Sequence, residues 1–252
     1  MRTLVLIPTY NERSTIEEVL RRARATDGSP DILVVDDGSP DGTADVVAKV
    51  GESIGGIDIL RRTRKAGLGD AYRAGFRWGL DRGYEALVEM DADLSHDPSA
   101  IPQLTQLLDS NDLVIGSRYV PGGIVPQWGV HRRLISWAGN RYSSVLLGIE
   151  VRDLTSGFRA YRAEALRRID LGSMRADGYG FQIEMAYLVS RNGGRVAETP
   201  ICFTDRREGE SKMSASIALE ALVLVTKLGI GRTRIARAGR TLPVASGRGR
   251  AT

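Results

Sequence analysis

The sequence has little of what secreted or membrane-spanning proteins need. It contains one cysteine in 252 residues, so no disulfide can form within the chain, and its first residues do not resemble a secretory signal peptide. We therefore expect a protein of the reducing cytosol, with Cys202 as a small core residue. The most apolar stretch, Ile217–Ile230, is interrupted by Glu220 and Lys227, and it is shorter than the about 18 apolar residues that a spanning helix requires.

Two common nucleotide-binding motifs are also absent. The first apolar run is not followed by a GxGxxG pattern, which argues against a dinucleotide-binding dehydrogenase. No GxxxxGK[ST] pattern occurs, which argues against a P-loop kinase or ATPase. The first run also lacks the glycine-rich, lysine-bearing loop that a nucleotidyltransferase is expected to carry.

Acidic residues are missing from one part of the chain. After Ile230 there are six arginines and no aspartate or glutamate, although the whole chain has a formal net charge of only +4. This composition predicts a basic, disordered tail over residues 232–252. Nucleic acid and an anionic membrane are both suitable partners for such a tail, and a merely solvated tail is an equal alternative.

Short runs of Val, Ile and Leu alternate with segments of helical period in the first half of the chain. This pattern predicts an α/β fold with a mostly parallel central sheet flanked by helices, whose ligands gather beyond the carboxyl ends of the strands. A helix is predicted to begin at Asp97-Pro98, and another to span 132–147. The predicted strands are Thr3–Pro8, Ile32–Asp36, Ile57–Arg61, Ala86–Asp91 and Asp112–Ser117.

Polar and acidic residues directly follow three of these strands. They are Pro8–Glu12 (PTYNE), Asp36–Ser39 (DDGS) and Asp91–Asp93 (DAD). Each cluster alone is common turn or cap chemistry, but the carboxyl ends of parallel strands meet at one edge of the sheet, and all three should lie there together. Because packed carboxylates repel one another, they imply hydrogen-bond donors or a cation. A bend at the last cluster would let Asp91 and Asp93 reach one divalent ion, which could hold a diphosphate.

The same motifs resemble those of a known family. Val5–Glu12, Val34–Ser39 and Met90–Asp93 are similar to the nucleotide-sugar motifs of family 2 inverting glycosyltransferases with the GT-A fold. Within that family, the chain resembles the dolichyl- or polyprenyl-phosphate mannose synthases over roughly residues 3 to 215. The motifs of this subgroup are Gly67–Gly69 (GLG), Gly116–Tyr119 (GSRY), Asp153–Arg159 (DLTSGFR) and Asp205–Lys212 (DRREGESK).

The resemblance implies transfer of mannose from GDP-mannose to a polyprenyl phosphate with inversion. The alternative is a UDP-sugar, such as UDP-glucose or UDP-N-acetylglucosamine, as the donor to the same lipid. The implied product is a lipid-linked mannose donor for glycosylation or glycolipid synthesis. By the same resemblance, the residues that bind the nucleotide sugar are Pro8, Tyr10, Glu12, Val35, Asp37, Asp91, Ala92, Asp93, Arg118, Arg206 and Lys212.

The implied cofactor is a divalent metal, Mg²⁺ or Mn²⁺, held by Asp91 and Asp93. Several relatives carry a glutamine as a further ligand two positions after the second aspartate. This chain has Ser95 there, so Ser95 is the predicted third ligand. Metal and cations would stabilise the departing diphosphate, with Asp91, Asp93 and Arg118 as the predicted catalytic residues.

The implied acceptor site is cationic. Its predicted residues are Arg118, Arg206, Arg207, Ser211 and Lys212, with Arg132 in reserve. A phosphate monoester has its second pKa near 6, so most of it is already ionised at neutral pH and needs no general base. Other candidates are open: His96 could contact a phosphate or cap a helix, Glu184 could reach the sugar or serve the structure, and Gly67–Gly69 could cradle a phosphate or allow close packing.

The predicted organisation is one GT-A catalytic domain over residues 1–213, an amphipathic helix over 214–231 and the basic tail. The helix could lie in a lipid interface, or it could pack its apolar face on the protein's own core. We expect a peripheral protein on the cytoplasmic face of a membrane, with or without an anchoring partner protein. Nucleic acid is not an expected partner, because a nucleic-acid-binding function would leave the three acidic clusters without a role.

Overall fold

A computed structural model describes residues 1–174, 176–205 and 221–230. In this part of the chain seven strands form one sheet, in the order β3-β2-β1-β4-β6-β5-β7. Its strands are β1 (Thr3–Thr9), β2 (Asp31–Asp36), β3 (Ile57–Arg61), β4 (Ala86–Glu89), β5 (Leu113–Ser117), β6 (Arg159–Arg162) and β7 (Val196–Pro200).

The sheet is mostly parallel, as the sequence predicts. β1 pairs in parallel with β2 and β4, β2 with β3, and β5 with β7. The exception is β6, which runs antiparallel to both of its neighbours, β4 and β5. The five predicted strands are confirmed, and no predicted end differs from the observed end by more than two residues.

Helices cover both faces of the sheet. The predicted start at Asp97-Pro98 is confirmed, because the Asp97 side chain accepts a hydrogen bond from the Ser99 N–H at 3.0 Å and a short 3₁₀ turn, Pro98–Ala100, leads into a helix. The α-helices are α1 (Ile16–Arg24), α2 (Thr43–Ile54), α3 (Leu68–Asp81), α4 (Ile101–Leu107), α5 (Val130–Leu147), α6 (Ala163–Arg167) and α7 (Gly178–Arg191).

Alternate residues of the central strands feed two separate cores. On β1, Leu4 and Leu6 pack into the cluster that contains Phe76 of α3, whereas Val5 and Ile7 pack into the cluster on the other face. All four β1 side chains are fully buried. Burial on both faces explains why these strands appear in the sequence as continuous apolar runs.

The C-terminal part is described in one segment. Residues 221–230 are helical, with Val225 in the core while Leu222 and Ile230 are about half exposed. The Thr226 hydroxyl is hydrogen-bonded to that of Tyr142 on α5. The rest of the predicted amphipathic helix and the basic tail lie outside the described residues. No helix in the described ranges is both long and apolar enough to cross a bilayer.

The prediction that Cys202 is a core residue is wrong. Cys202 lies just after β7, where it bridges to Ile124, and its side chain is exposed. Its neighbour Ile201 is buried instead. Because successive residues of an extended segment point to opposite sides, Cys202 faces outward when Ile201 faces the core.

Candidate active site

One cavity of about 650 Å³ opens at the carboxyl ends of the central strands. It is lined by residues from the loops after β1, β2, β4 and β5, and by the first turns of α3 and α7. Eight of the predicted site residues line it together: Pro8, Tyr10, Glu12, Asp37, Asp91, Ala92, Asp93 and Arg118. The three acidic clusters therefore do meet at one edge of the sheet.

The two aspartates at the end of β2 have different roles. Asp36 accepts hydrogen bonds from the Thr9 hydroxyl at 2.9 Å and from the backbone and hydroxyl of Ser39 at 3.0 and 2.6 Å. It thus ties the loop after β2 to the end of β1. Asp37, the next residue, lines the cavity.

Asp37 has few solvent contacts and two fixed partners. Its side chain accepts a hydrogen bond from the Ala66 N–H at 3.1 Å and forms an ion pair with Arg62 at 3.3 Å. Burial raises the pKa of Asp37, while the Ala66 N–H and Arg62 oppose that effect. Val35, two positions earlier, is fully buried in the core and is not among the residues that line the cavity.

Tyr10 has a cation partner that the sequence did not indicate. The Lys65 ammonium lies 4.2 Å from the centre of the Tyr10 ring, and both residues line the cavity. This geometry is a cation–π contact. It adds a positive charge beside the ring predicted to hold base or ribose.

The loop that carries Asp91 and Asp93 is fixed by His96. The Asp91 N–H donates to Nδ1 of His96 at 3.1 Å, and the imidazole stacks on Phe158 with ring centres 4.9 Å apart. Leu94 has a φ of 63°, which is costly for a residue other than glycine and marks a tight bend in this loop. His96 therefore acts on the shape of the acidic loop, which favours the structural alternative among its predicted roles.

The acidic loop offers oxygen ligands to a cation. The carboxylates of Asp91 and Asp93 both line the cavity. Ser95 is fully buried, its hydroxyl oxygen has no hydrogen-bond partner among the described residues, and it does not line the cavity. Within the described ranges, no three His, Cys, Asp or Glu side chains group into a metal-holding cluster. Two carboxylates without further protein ligands fit an ion such as Mg²⁺, which keeps waters and takes its other ligands from substrate phosphates.

A buried carboxyl group lies beneath this loop. Glu89, the last residue of β4, is fully buried, and burial raises its pKa to about 8, although Arg159 acts in the opposite direction. The side chains of Asp91 and Gln182 also lie close enough to influence that pKa. The Gln182 side chain is thus a neighbour of the Glu89 carboxyl, although neither side chain has a partner among the described residues by hydrogen-bond geometry.

Arg118 is held by a buried ion pair. Its Nε and Nη2 donate to the two carboxylate oxygens of Asp153 at 2.7 and 2.6 Å, and Nη2 also donates to the Thr155 hydroxyl at 2.8 Å. Burial disfavours the charge of the guanidinium, but Asp153 outweighs it and raises the pKa of Arg118. Nη1 makes no hydrogen bond to a described residue. Arg118 is thus held cationic in the lining of the cavity.

Asp205, the first residue of the subgroup motif Asp205–Lys212, is held by two side chains from other segments. Asp205 accepts hydrogen bonds from Nε1 of Trp128 at 3.1 Å and from Nη1 of Arg132 at 3.2 Å. The Arg132 guanidinium stacks over the Trp128 ring, 4.0 Å from its centre. All three residues line the cavity. The other predicted acceptor-site residues, Arg206, Arg207, Ser211 and Lys212, lie outside the described residues.

Gly67 and Gly69, at the start of α3, serve close packing. The Asp177 carboxylate accepts a hydrogen bond from the Gly69 N–H at 2.6 Å and from the Gly178 N–H at 2.8 Å, so it joins the first turns of α3 and α7. Gly67 has a φ of 96°, and a Cβ built there would lie 2.0 Å from an Asp177 oxygen. Since a protein carboxylate already takes the Gly69 N–H, this geometry favours the packing alternative over the phosphate cradle.

Several residues that line the cavity were not predicted from the sequence. Lys65 lies in the loop after β3. The sequence signal that could have identified it is a basic residue two positions before Gly67. Gln182 and Tyr179 come from α7, whose orientation toward the cavity has no local signal in the sequence. Glu184, the α7 residue singled out from sequence, is not among the residues that line the cavity.

Comparison with known proteins identifies the class. Residues 4–170 match the family described as "Glycosyl transferase family 2". The chain belongs to this family and is a glycosyltransferase, as the strand-end motifs predict.

The similarity to named relatives extends over nearly the whole chain. The chain is 50% identical over 230 residues to the undecaprenyl-phosphate mannosyltransferase of Micrococcus luteus, which covers 91% of this chain and 95% of the relative. It is 49% identical over 241 residues to the polyprenol monophosphomannose synthase of Mycolicibacterium smegmatis, covering 94% and 90%. Identity to the dolichol-phosphate mannosyltransferase of Pyrococcus furiosus is 36% over 90% of this chain and 64% of that one. These matches confirm the resemblance to the mannose-synthase subgroup.

Solved structures show the same fold. A glucosyl-3-phosphoglycerate synthase from Mycobacterium tuberculosis, solved in complex with Mn²⁺, uridine-diphosphate-glucose and phosphoglyceric acid, superposes with a TM-score of 0.68. The match covers 90% of this chain and 79% of that one at 20% identity. At this identity the likeness supports the predicted GT-A architecture and nothing finer.

Proposed function

We propose that this glycosyltransferase moves mannose from GDP-mannose to the phosphate of a polyprenyl lipid with inversion at the anomeric carbon. One observation carries the proposal: a single cavity joins the Asp91 and Asp93 carboxylates to the Arg118 guanidinium and to the start of the basic motif at Asp205. Such a cavity has groups for a metal-bound diphosphate and for a second anion. The names of the relatives from Micrococcus luteus and Mycolicibacterium smegmatis support mannose as the sugar and a polyprenyl phosphate as the acceptor.

On the donor side, Tyr10 and Lys65 are proposed to hold the base or ribose, with Glu12 and Asp37 as hydrogen-bond acceptors. Asp91 and Asp93 are proposed to hold a divalent metal, in line with the Mn²⁺ in the solved glucosyl-3-phosphoglycerate synthase complex. A bound divalent cation would neutralise the charge that develops on the leaving diphosphate. His96 keeps the acidic loop in the shape that presents both carboxylates.

On the acceptor side, Arg118 and the basic motif that begins at Asp205 are proposed to hold the lipid phosphate. Since this phosphate is largely ionised at neutral pH, it needs no general base to attack the anomeric carbon. The work of the protein is then to align two anions and to offset their repulsion. Asp153 supports this by holding Arg118 in place and charged.

A lipid acceptor requires contact with a membrane, and α5 has a suitable surface. It carries exposed apolar side chains at Val130, Leu134, Trp137 and Val145, spaced three, four or eight residues apart. Its charged residues are all basic. An apolar stripe with basic flanks and no acidic residue is typical of helices that lie in an anionic lipid interface. We propose that α5, together with residues 221–230, docks the enzyme on the cytoplasmic face of the membrane.

The reaction is tested by transfer of radiolabelled mannose from GDP-mannose to a short polyprenyl phosphate with Mg²⁺ or Mn²⁺. We expect metal-dependent labelling of the lipid, which Asp93→Asn lowers about 100- to 1000-fold through lost electrostatic stabilisation. The charge-matched control is Asp109→Asn, an exposed site beyond α4, which should keep full activity. Labelling from UDP-sugars alone would overturn the proposed donor, and full activity of Asp93→Asn would overturn the proposed metal site.

Membrane docking is tested with two forms of the acceptor. The variant Leu134→Ser/Trp137→Ser should lose at least about tenfold in activity toward a long polyprenyl phosphate in anionic vesicles, because two exposed apolar side chains no longer enter the lipid. With a short acceptor dissolved in buffer it should match the wild type. Equal losses with both acceptors would contradict docking through α5.

A further inference from the structure

The Gln182 side chain is buried at the cavity with an unsatisfied amide. Only 2% of the residue is exposed, and it is among the residues that line the cavity. Neither its Oε1 nor its Nε2 has a hydrogen-bond partner among the described residues. Because buried amides in folded proteins are nearly always hydrogen-bonded, an unpaired one at a binding cavity points to a ligand.

Neighbouring residues hold the backbone at Gln182 in place. Its backbone carbonyl accepts a hydrogen bond from Nη1 of Arg159 at 2.7 Å, and Arg159 is itself fully buried. The adjacent Phe181 ring stacks on Tyr72 with ring centres 6.0 Å apart. The α7 backbone that carries Gln182 is therefore held in place, as a residue that orients a ligand requires.

Gln182 also lies close to the acidic loop. Gln182 and Asp91 line the same cavity, and the Gln182 side chain neighbours Glu89, the last residue of β4. In a nucleotide sugar, the hexose is bonded directly to the diphosphate. An amide in the same cavity as the predicted diphosphate-binding Asp91 is therefore a candidate contact for the hexose.

We propose that Gln182 hydrogen-bonds one hydroxyl group of the hexose that is transferred, and so helps to select the sugar. The inference rests on the proposed function, because it requires that a nucleotide sugar bind with its diphosphate at Asp91 and Asp93. An amide is suited to a sugar hydroxyl, since it offers both a donor and an acceptor without the desolvation cost of a charge. A site built for one hydroxyl also rejects sugars that lack it, because the amide is then left unpaired.

The test combines a variant of the protein with deoxy forms of the donor. Gln182→Met keeps the length of the side chain and removes its hydrogen bonds, and Gln182→Ala is a second variant in case Met packs badly. Activity is measured as kcat/KM for GDP-mannose and for its 2-, 3-, 4- and 6-deoxy analogues, and GDP binding is measured separately by calorimetry. Glu184→Gln is the matched control, two residues away on the same helix but not at the cavity.

We expect Gln182→Met to lower kcat/KM for GDP-mannose about 10- to 100-fold, with unchanged affinity for GDP. For one deoxy analogue, wild type and variant should be equally active, because the hydroxyl partner is already missing. An equal loss with every analogue would overturn the proposal and assign Gln182 to support of Glu89 and Asp91. No loss would overturn it as well.

The experiment distinguishes a wrong donor from a wrong role for Gln182. If the wild-type enzyme uses a UDP-hexose and not GDP-mannose, the same variants are compared on deoxy forms of that UDP-hexose. A loss confined to one hydroxyl would then support Gln182 while the proposed GDP-mannose donor is rejected.

Discussion

The two walls of the cavity are held in different ways. On the first wall, built from β1, β2 and β4, several supporting contacts lie within one motif: Asp36 accepts a hydrogen bond from Ser39, three residues on, and the Asp91 N–H donates to His96, five residues on. Others join neighbouring motifs, such as the hydrogen bond from Thr9 to Asp36, 27 residues apart. The second wall comprises Arg118, Arg132, Asp205 and the start of α7. There Arg118 depends on Asp153, 35 residues away, and Arg132 depends on Asp205, 73 residues away. The first wall therefore forms from short motifs that the pairing of neighbouring strands brings together, whereas the second forms only when segments further apart in the sequence pack.

This difference predicts that substitutions on the two walls will have different effects on folding stability and on donor binding. On the second wall the Arg118–Asp153 pair is buried, whereas the Arg132–Asp205 pair is partly exposed, so loss of the first pair should affect folding as well as activity. The strand-end side chains that face the cavity on the first wall should affect donor binding with little effect on folding. Substitutions at three positions test this contrast.

The largest effect on stability is expected for Asp153→Ala. The substitution leaves the Arg118 guanidinium charged, buried and without its carboxylate partner. Breaking a buried pair in this way costs about 3–5 kcal/mol in the free energy of unfolding. Urea denaturation followed by circular dichroism measures the change.

The double variant Arg118→Met/Asp153→Leu is the control for this prediction. Apolar residues in place of both charges should recover most of the stability, since a buried pair can be replaced at little cost. Activity should stay low, because the cation is lost. A double variant as unstable as Asp153→Ala would show that the pair is not the cause of the instability.

The pH dependence of Asp153→Asn follows from the same pair. Burial alone would raise the pKa of Asp153, but Arg118 lowers it below the usual 3.8. The carboxylate thus contributes stability above pH 3.8, and this contribution is lost as the pH falls through the lowered pKa of the folded state. The stability difference between wild type and Asp153→Asn should therefore be constant from pH 7 to about pH 5 and shrink below pH 4. A difference that grows on acidification would contradict the assigned direction.

An intermediate effect is expected where the two walls touch. Gly67→Ala places a Cβ in the space of the Asp177 carboxylate and keeps a φ of 96° that alanine disfavours. We expect a loss of about 1–3 kcal/mol in the free energy of unfolding. The control is Gly28→Ala, because Gly28 has a similar φ of 84° with no atom within 4 Å of the added Cβ. Equal losses at both sites would mean that backbone strain alone explains the effect and that the contact with Asp177 does not matter.

The sequence predicts the first wall well because its signals are local. Strands buried on both faces give apolar runs, and the polar residues that follow them must lie at one edge of a parallel sheet. The antiparallel strand β6 was missed because its sequence, RAYR, has no apolar run. Its Arg159 is buried only because three backbone carbonyls, from Leu154, Ser156 and Gln182, accept its hydrogen bonds.

The second wall could be predicted only by resemblance. Arg118 was identified through the family motif, but nothing in the spacing of the sequence indicates that Asp153 is its partner. Gln182 and Asp177 depend on how α7 packs against α3, which has no local signature. Cys202 was misplaced for the same reason, since its exposure follows from which face of its segment meets the core.

The smallest effect is expected on the first wall, at Tyr10. Tyr10→Ala removes the ring beside Lys65 and should weaken GDP binding about 3- to 10-fold, with less than about 0.5 kcal/mol change in the free energy of unfolding. Tyr10→Phe keeps the ring and should bind GDP nearly as well as the wild type. Calorimetric titration of GDP gives the affinities. If Tyr10→Phe bound as weakly as Tyr10→Ala, the hydroxyl rather than the ring face would be the binding group. A large loss of stability in Tyr10→Ala would instead show that this wall, too, is coupled to folding.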